Sequence, residues 1–173
     1  MRNIFFFIVL FSLGFQSCKD KTDPVLPKAD NFSGDIIGEW TINTINQHYG
    51  EYSQNGEITG TFTSEGSNID GFYTFSDDGK IEAKTSYTNT ITTKNILGEE
   101  NIITSKVSAP TYYGVYSFNR TAKYVMFRDS IQGENFTYTI AKITDNELII
   151  EAPVIQQLNE ITISSTLRIG FIR

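Results

Sequence analysis

A chain of 173 residues with 14 basic and 20 acidic side chains carries a formal charge of −6 and has an isoelectric point near 4.8. That balance, with no Lys/Arg-rich run, argues against a nucleic-acid partner, because a phosphate backbone must be met by clustered cations. A single cysteine, Cys18, excludes an intrachain disulfide.

Length and composition fit one globular domain plus processing segments, and about 150 residues suffice to bury a core without staples. Gly, Thr, Asn, Ile, Tyr and Phe are abundant, which suits strands and turns. At the start, Arg2 is followed by an apolar run over residues 4–13 (IFFFIVLFSL), and Gly14, Phe15, Gln16 and Ser17 lead into Cys18. The run is shorter than a membrane span of about 20 residues and has the length of a signal-peptide core. A small residue directly before Cys18 resembles the lipobox of bacterial lipoproteins. The plain alternative is a secretory signal with an incidental cysteine. The resemblance implies that residues 1–17 are a signal peptide, that Cys18 is lipidated with acyl chains such as palmitate, and that the chain sits in a Gram-negative envelope. Removing residues 1–17 deletes Arg2 and no acid, so the formal charge moves from −6 to −7. Lys19 and Asp20 resemble the export signal that carries some such lipoproteins to the outer face of the outer membrane, while Lys21 breaks its more acidic form. The expected address is therefore the outer membrane, with the outer face preferred to the periplasmic one.

Residues 18–33 are polar, contain Pro24 and Pro27, and read as a flexible tether. Fifteen extended residues reach at most about 50 Å. A domain over residues 34–173 follows. Its first strand spans residues 36–47, where Trp40 and Ile42 share a face that continues as Thr44, Asn46 and His48. Such a stripe describes a wall running from a plugged floor to a wet cavity, or else a bulge that swaps faces midway. Residues 49–68 are the least regular stretch. They read as one long loop or as an extra hairpin turning at Asn55 and Gly56, which would add two strands.

Alternation then places Ile69, Gly71, Tyr73 and Phe75 on one face, with a tight turn at Asp77, Asp78 and Gly79. Ile81, Ala83, Thr85 and Tyr87 share a side of the returning strand. Two strands meet near residues 97–101, and the second resumes over residues 112–118. Shorter strands follow at residues 123–128, 135–143 and 147–152, and Pro153 is expected to end the last of these because it cannot donate to a ladder. A connection at residues 154–159 leads to a final strand with Ile161, Ile163, Leu167, Ile169 and Phe171 on one face. Arg173 is in phase with that stripe and Arg168 is not.

Apart from residues 49–68 this makes about eight strands, the smallest number whose closed barrel can hold one ligand. With the first strand directed upward, short turns collect at one end and longer connections at the other, as in an antiparallel up-and-down barrel. Gly38-x-Trp40, the TFSDDGK and ITDNELII hairpins and a terminal Arg together resemble a bacterial lipocalin-like (calycin-type) domain over most of residues 36–173. The resemblance implies a floor in which Trp40 plugs the closed end beside Gly38, with Arg173 lying across it and Arg168 in reserve.

His48 is the only histidine, and neither a nucleophile-elbow pattern nor a set of metal ligands accompanies it. No cofactor is expected, and an enzyme is not. His48, Tyr49, Tyr52, Tyr87, Tyr112 and Phe136 are candidates for the mouth of a pocket with polar handles. The leading expectation is a lipid-anchored protein that binds a small apolar or amphipathic ligand. The rival is an accessory subunit with a filled barrel, docking on another envelope protein. An unrecognised hydrolase is the third.

Overall fold

The computed structural model describes residues 32–130, 133 and 135–173. The signal segment, the expected lipidation site Cys18 and most of the tether lie outside the described residues. Nine strands follow one another: β1 (Gly38–Gln54), β2 (Glu57–Phe75), β3 (Lys80–Asn95), β4 (Glu100–Ser108), β5 (Tyr112–Asn119), β6 (Tyr124–Asp129), β7 (Asn135–Ile143), β8 (Glu147–Leu158) and β9 (Ile161–Ile172). All pairings between them are antiparallel, and β1 closes on β9.

Eight of these strands form the ring, and β4 hangs from β3 alone. On one edge of β3, Lys80 to Ala83 meet β5, and Ser86 to Lys94 meet β4. β4 and β5 therefore share one position in the wall, interrupted at residues 109–111. The result is the all-β, eight-position up-and-down barrel that the alternation and turn spacing indicated, closed at its lower end so that no sheet edge is left there.

The structure decides three local questions. Residues 49–68 form the hairpin alternative, but it lengthens β1 and β2 and so adds no strands to the count. The two strands meet at Asn55 and Gly56, whose φ values of 53° and 84° are those of a tight Asn-Gly hairpin turn. Second, Pro153 does not end its strand. β8 pairs with β9 through Pro153, opposite Thr166, and on to Leu158, so the expected connection at residues 154–159 shrinks to a turn at Asn159 and Glu160. Proline is tolerated there because β7 pairs with β8 only as far as Glu151, leaving no second ladder to serve.

Third, the stripe of the first strand follows the bulge alternative: β1 bulges between Ile42 and Thr44 and again between His48 and Glu51. Each bulge inserts a residue and moves the stripe to the other face. The inner face thus runs Trp40, Ile42, Ile45, Gln47, Gly50 and Tyr52, while Thr44 and His48 point outward. The tether also ends earlier than residue 33. Phe32 bridges to Ile143, and the amides of Ser33 and Gly34 donate to the Ile143 carbonyl at 3.0 and 3.3 Å.

Registers leave the wall uneven. β1, β2, β3 with β4, β8 and β9 continue above the level at which β6 ends and β7 begins. The core fills the low end, where Trp40, Phe75, Phe171, Leu148, Ile150, Ile140 and Val125 are fully buried. Each such side chain contributes roughly 1.5–3 kcal/mol through removal from water.

Candidate functional site: a plugged floor and a phenol-lined interior

At the floor, a short strap over residues 32–37 crosses beneath the barrel before β1 begins. The buried Trp40 donates its indole N–H to the Ile36 carbonyl at 2.8 Å, which satisfies the one polar atom the plug carries inward. Arg173 lies across the indole with its guanidinium carbon 3.9 Å from the ring centroid. The same guanidinium donates to the Asp35 carbonyl at 2.9 Å and to the Ile37 carbonyl. Gly38 has φ of +122°, a conformation that calls for glycine, and a Cβ there would be in ordinary contact with the Arg173 guanidinium at 3.4 Å. Arg120 holds the Gly34 carbonyl, and the Lys123 ammonium sits 4.2 Å from the centre of the Phe32 ring. Arg168 is elsewhere, paired with Glu151 at 2.9 Å on the outer wall.

Above the floor lies an aromatic layer. Tyr73 sits edge-on to Phe171 and Phe127 at centroid distances of 5.0 and 6.0 Å, and Phe127 is 5.2 Å from Tyr138. Burial pushes the Tyr73 phenol far above its usual range, with the hydroxyls of Tyr138, Tyr112 and Tyr87 adding to the effect. The Tyr138 phenol rises to about 12 through burial and then through Tyr112. Tyr112 rises to about 12 through burial and then through the Asp129 carboxylate. Four phenols from β2, β3, β5 and β7 thus share one electrostatic neighbourhood.

Accessibility changes along this column. Floor side chains have no free surface, whereas Tyr73, Tyr87, Tyr112, Phe136 and Leu167 are only partly buried although they face inward. Tyr73 faces inward and is only partly buried. Side chains that face into the barrel and keep free surface border whatever space the ring encloses. The ring of Tyr112 folds over Gly114, where a Cβ would strike its hydroxyl, and that hydroxyl is buried with no hydrogen-bond partner. Asp129 is in phase with the buried Val125 and Phe127 and stands opposite Gly114, which puts it on the inner face of β6 within electrostatic reach of the Tyr112 phenol.

Higher up, the inner wall becomes polar. Gln47 and Ser64 are buried there, and Ser64 Oγ donates to Asn89 Oδ1 at 2.7 Å. Ser165 Oγ is buried without a partner. Tyr52 packs on Phe62 at 5.0 Å near the top of the wall, and burial raises its phenol.

The six candidate mouth residues therefore divide. Tyr52, Tyr87, Tyr112 and Phe136 belong to inner faces. His48 and Tyr49 follow the second bulge of β1 and lie on the outer wall, in a groove of about 560 Å³ with Glu151, Pro153, Thr166 and Arg168. Tyr49 has a φ of 55° and is 89% exposed. Sequence reasoning left Asp129, Gln47 and Ser165 outside the site. Alternation continued from Val125 and Phe127 would have placed Asp129 inward, but the bulges concealed Gln47.

Among the described residues, no group of three or more His, Cys, Asp or Glu side chains could hold a metal ion. Comparison with family models, curated proteins and solved structures returned no match.

Proposed function

We propose that this chain is a lipid-anchored envelope protein whose barrel, of lipocalin-like kind, holds a small apolar or amphipathic molecule without transforming it. The observation that carries this reading is the graded interior: a sealed apolar floor, then aromatic walls that face inward and remain accessible, then polar side chains. A ligand's apolar part would rest on Tyr73 and Tyr138, between Tyr87, Tyr112 and Phe136. Its polar end would meet hydroxyls such as that of Tyr112, which is buried without a partner. Leaving such a group unsatisfied costs about 1–3 kcal/mol, so an acceptor supplied by a ligand is favoured. Small-molecule sites have this make-up, mostly apolar with a few convergent polar groups.

Membrane attachment would come through Cys18, because several acyl chains at about 0.8 kcal/mol per buried CH₂ make a lasting anchor. The described chain begins beneath the floor, so an anchor upstream of Phe32 favours a mouth turned away from the lipid. Native mass spectrometry of the protein purified from its own membrane tests the reading. A small added mass that leaves on denaturation is the expected result. Lipidated protein that carries no ligand through a gentle purification would overturn it.

A second reading has its own observation. Hairpin tips around the mouth expose Ile58, Ile96, Leu97, Ile102 and Ile161, with Leu97 80% accessible. Apolar side chains gathered at a rim suit docking of the accessory-subunit kind on another envelope protein. The same measurement would then show a protein partner in place of a ligand.

A further inference from the structure

We infer that the interior selects its ligand by charge, accepting a neutral amphiphile and rejecting an anionic one such as a fatty-acid carboxylate. This rests on the ligand-binding reading above and names the class of molecule the site would take. The inference follows from what the inner faces carry and what they lack.

Every inward position above the floor for which alternation and burial agree is apolar, aromatic, hydroxyl or amide, except Asp129. The cations of the described wall point elsewhere. Lys84 and Arg128 are exposed on outer faces. Arg168 pairs with Glu151, Lys142 pairs with Glu147 at 2.6 Å, and Arg173 is committed to the floor. A carboxylate brought into the hollow would lose its water and find no cation. It would also approach the like charge of Asp129, which already acts on the Tyr112 phenol. Burying an ion without a counter-ion is among the costliest steps in recognition.

Phenol donors could bond a carboxylate, but they would not neutralise it. A hydroxyl, ester or amide oxygen takes the same hydrogen bonds with no charge to desolvate. Tyr112 in particular offers a buried hydroxyl without a partner, and it stands on the same side of the barrel as Asp129. One end of the hollow is thus suited to a neutral oxygen and set against an anion.

The test is a competition. Immobilised full-length protein in a non-ionic detergent is equilibrated with an equimolar mixture of labelled decanol and decanoate. The buffer is held at about pH 8, where a carboxylic acid is fully ionised. Retained amounts are counted against a detergent-only blank. Decanol should exceed decanoate by about tenfold or more, as expected for like charges a few ångströms apart in a partly dry site. Asp129→Asn should narrow that ratio several-fold, and Tyr112→Phe should lower decanol retention without raising decanoate. Far-UV circular dichroism confirms that both variants keep the barrel. Decanoate retained as well as decanol, or an Asp129→Asn ratio equal to that of the parent, overturns the charge selection while leaving a ligand-binding barrel. Retention of neither molecule removes the ligand-binding reading and this inference with it.

Discussion

Replacing Arg173 with Met removes the cation from the floor while keeping an apolar stem of similar reach. Three interactions are lost together: the stacking at 3.9 Å on Trp40, and the bonds to the Asp35 and Ile37 carbonyls. A guanidinium over an indole contributes about 0.5–1 kcal/mol when exposed and about 2 when desolvated. Hydrogen bonds to a charged group contribute about 1.5–3 kcal/mol each, at the low end where water competes. Arg173 is exposed at its edge, and one group makes all three contacts, so simple addition overstates the loss. The net expectation is about 2–3 kcal/mol. With a urea slope of about 1–3 kcal/mol per molar, the midpoint should fall by roughly 1–2 M. Because Trp40 is the only tryptophan, its emission reports the same site, and the native spectrum should change as the ring gains water. Arg173→Lys keeps the charge, but an ammonium can neither stack as a plane nor fork to two carbonyls, so it should recover less than half of the loss. A midpoint shift below about 0.3 M for the Met variant, with unchanged emission, would refute the argument that this cation closes the floor.

Trp40→Ala should cost about 3–5 kcal/mol, measured by circular dichroism because the fluorophore is gone. Alkaline pH should destabilise the barrel: the folded pKa values of Tyr112 and Tyr138 are about 12 against 10.0 unfolded, and Tyr73 lies higher. Above about pH 10 the unfolded chain releases protons that the folded one keeps, so stability is complete below that pH and falls as pH rises towards the folded values. Absorbance of phenolate at high pH should accordingly show a late fraction that ionises only with unfolding, and a single early titration would contradict the enclosed phenols. Cys18→Ser should release the protein from the membrane fraction, and labelling with a fatty-acid analogue should mark the parent alone.

The barrel was legible because most of its strands are buried on one face, and a half-buried strand shows its period of two directly. Tyr73 and Phe75, or Ile169 and Phe171, needed only alternation to be placed inward, and Arg173 followed from the same phase. What escaped was governed by contacts distant in sequence. Extra residues within β1, one of them Tyr49 at positive φ, move the stripe from Thr44 and His48 to Ile45 and Gln47; a bulge was one of two open readings, no glycine or proline marks the first, and Gly50 lies in the second. Residues 49–68 looked irregular because their inward positions are Gly50, Tyr52, Gly60, Phe62, Ser64 and Gly66, too few of them large and apolar to show an alternation. Pro153 misled for a related reason. Its suitability depends on β7 leaving β8 after Glu151, which no local signal in β8 records.

The uneven wall also explains why the two ends of the molecule differ in character. At the floor, strand ladders, the strap and Arg173 over Trp40 leave the plug no free surface, so side chains there are fixed by packing and by paired carbonyls. Toward the mouth the ring is incomplete. Beyond Glu151, β8 has β9 as its one ladder, and β4 pairs with β3 alone. Strands supported on one side open at lower free energy than those in a closed ring, and binding loops and lids are drawn from such regions. A ligand entering between β4 and β8 would cross the short lip at β6 and β7, where Asp129 and Phe136 stand. It would reach the four phenols without disturbing the floor. On the proposed reading, stability and recognition fall to opposite ends of the same strands, with Asp129 at the upper end of the shortest one.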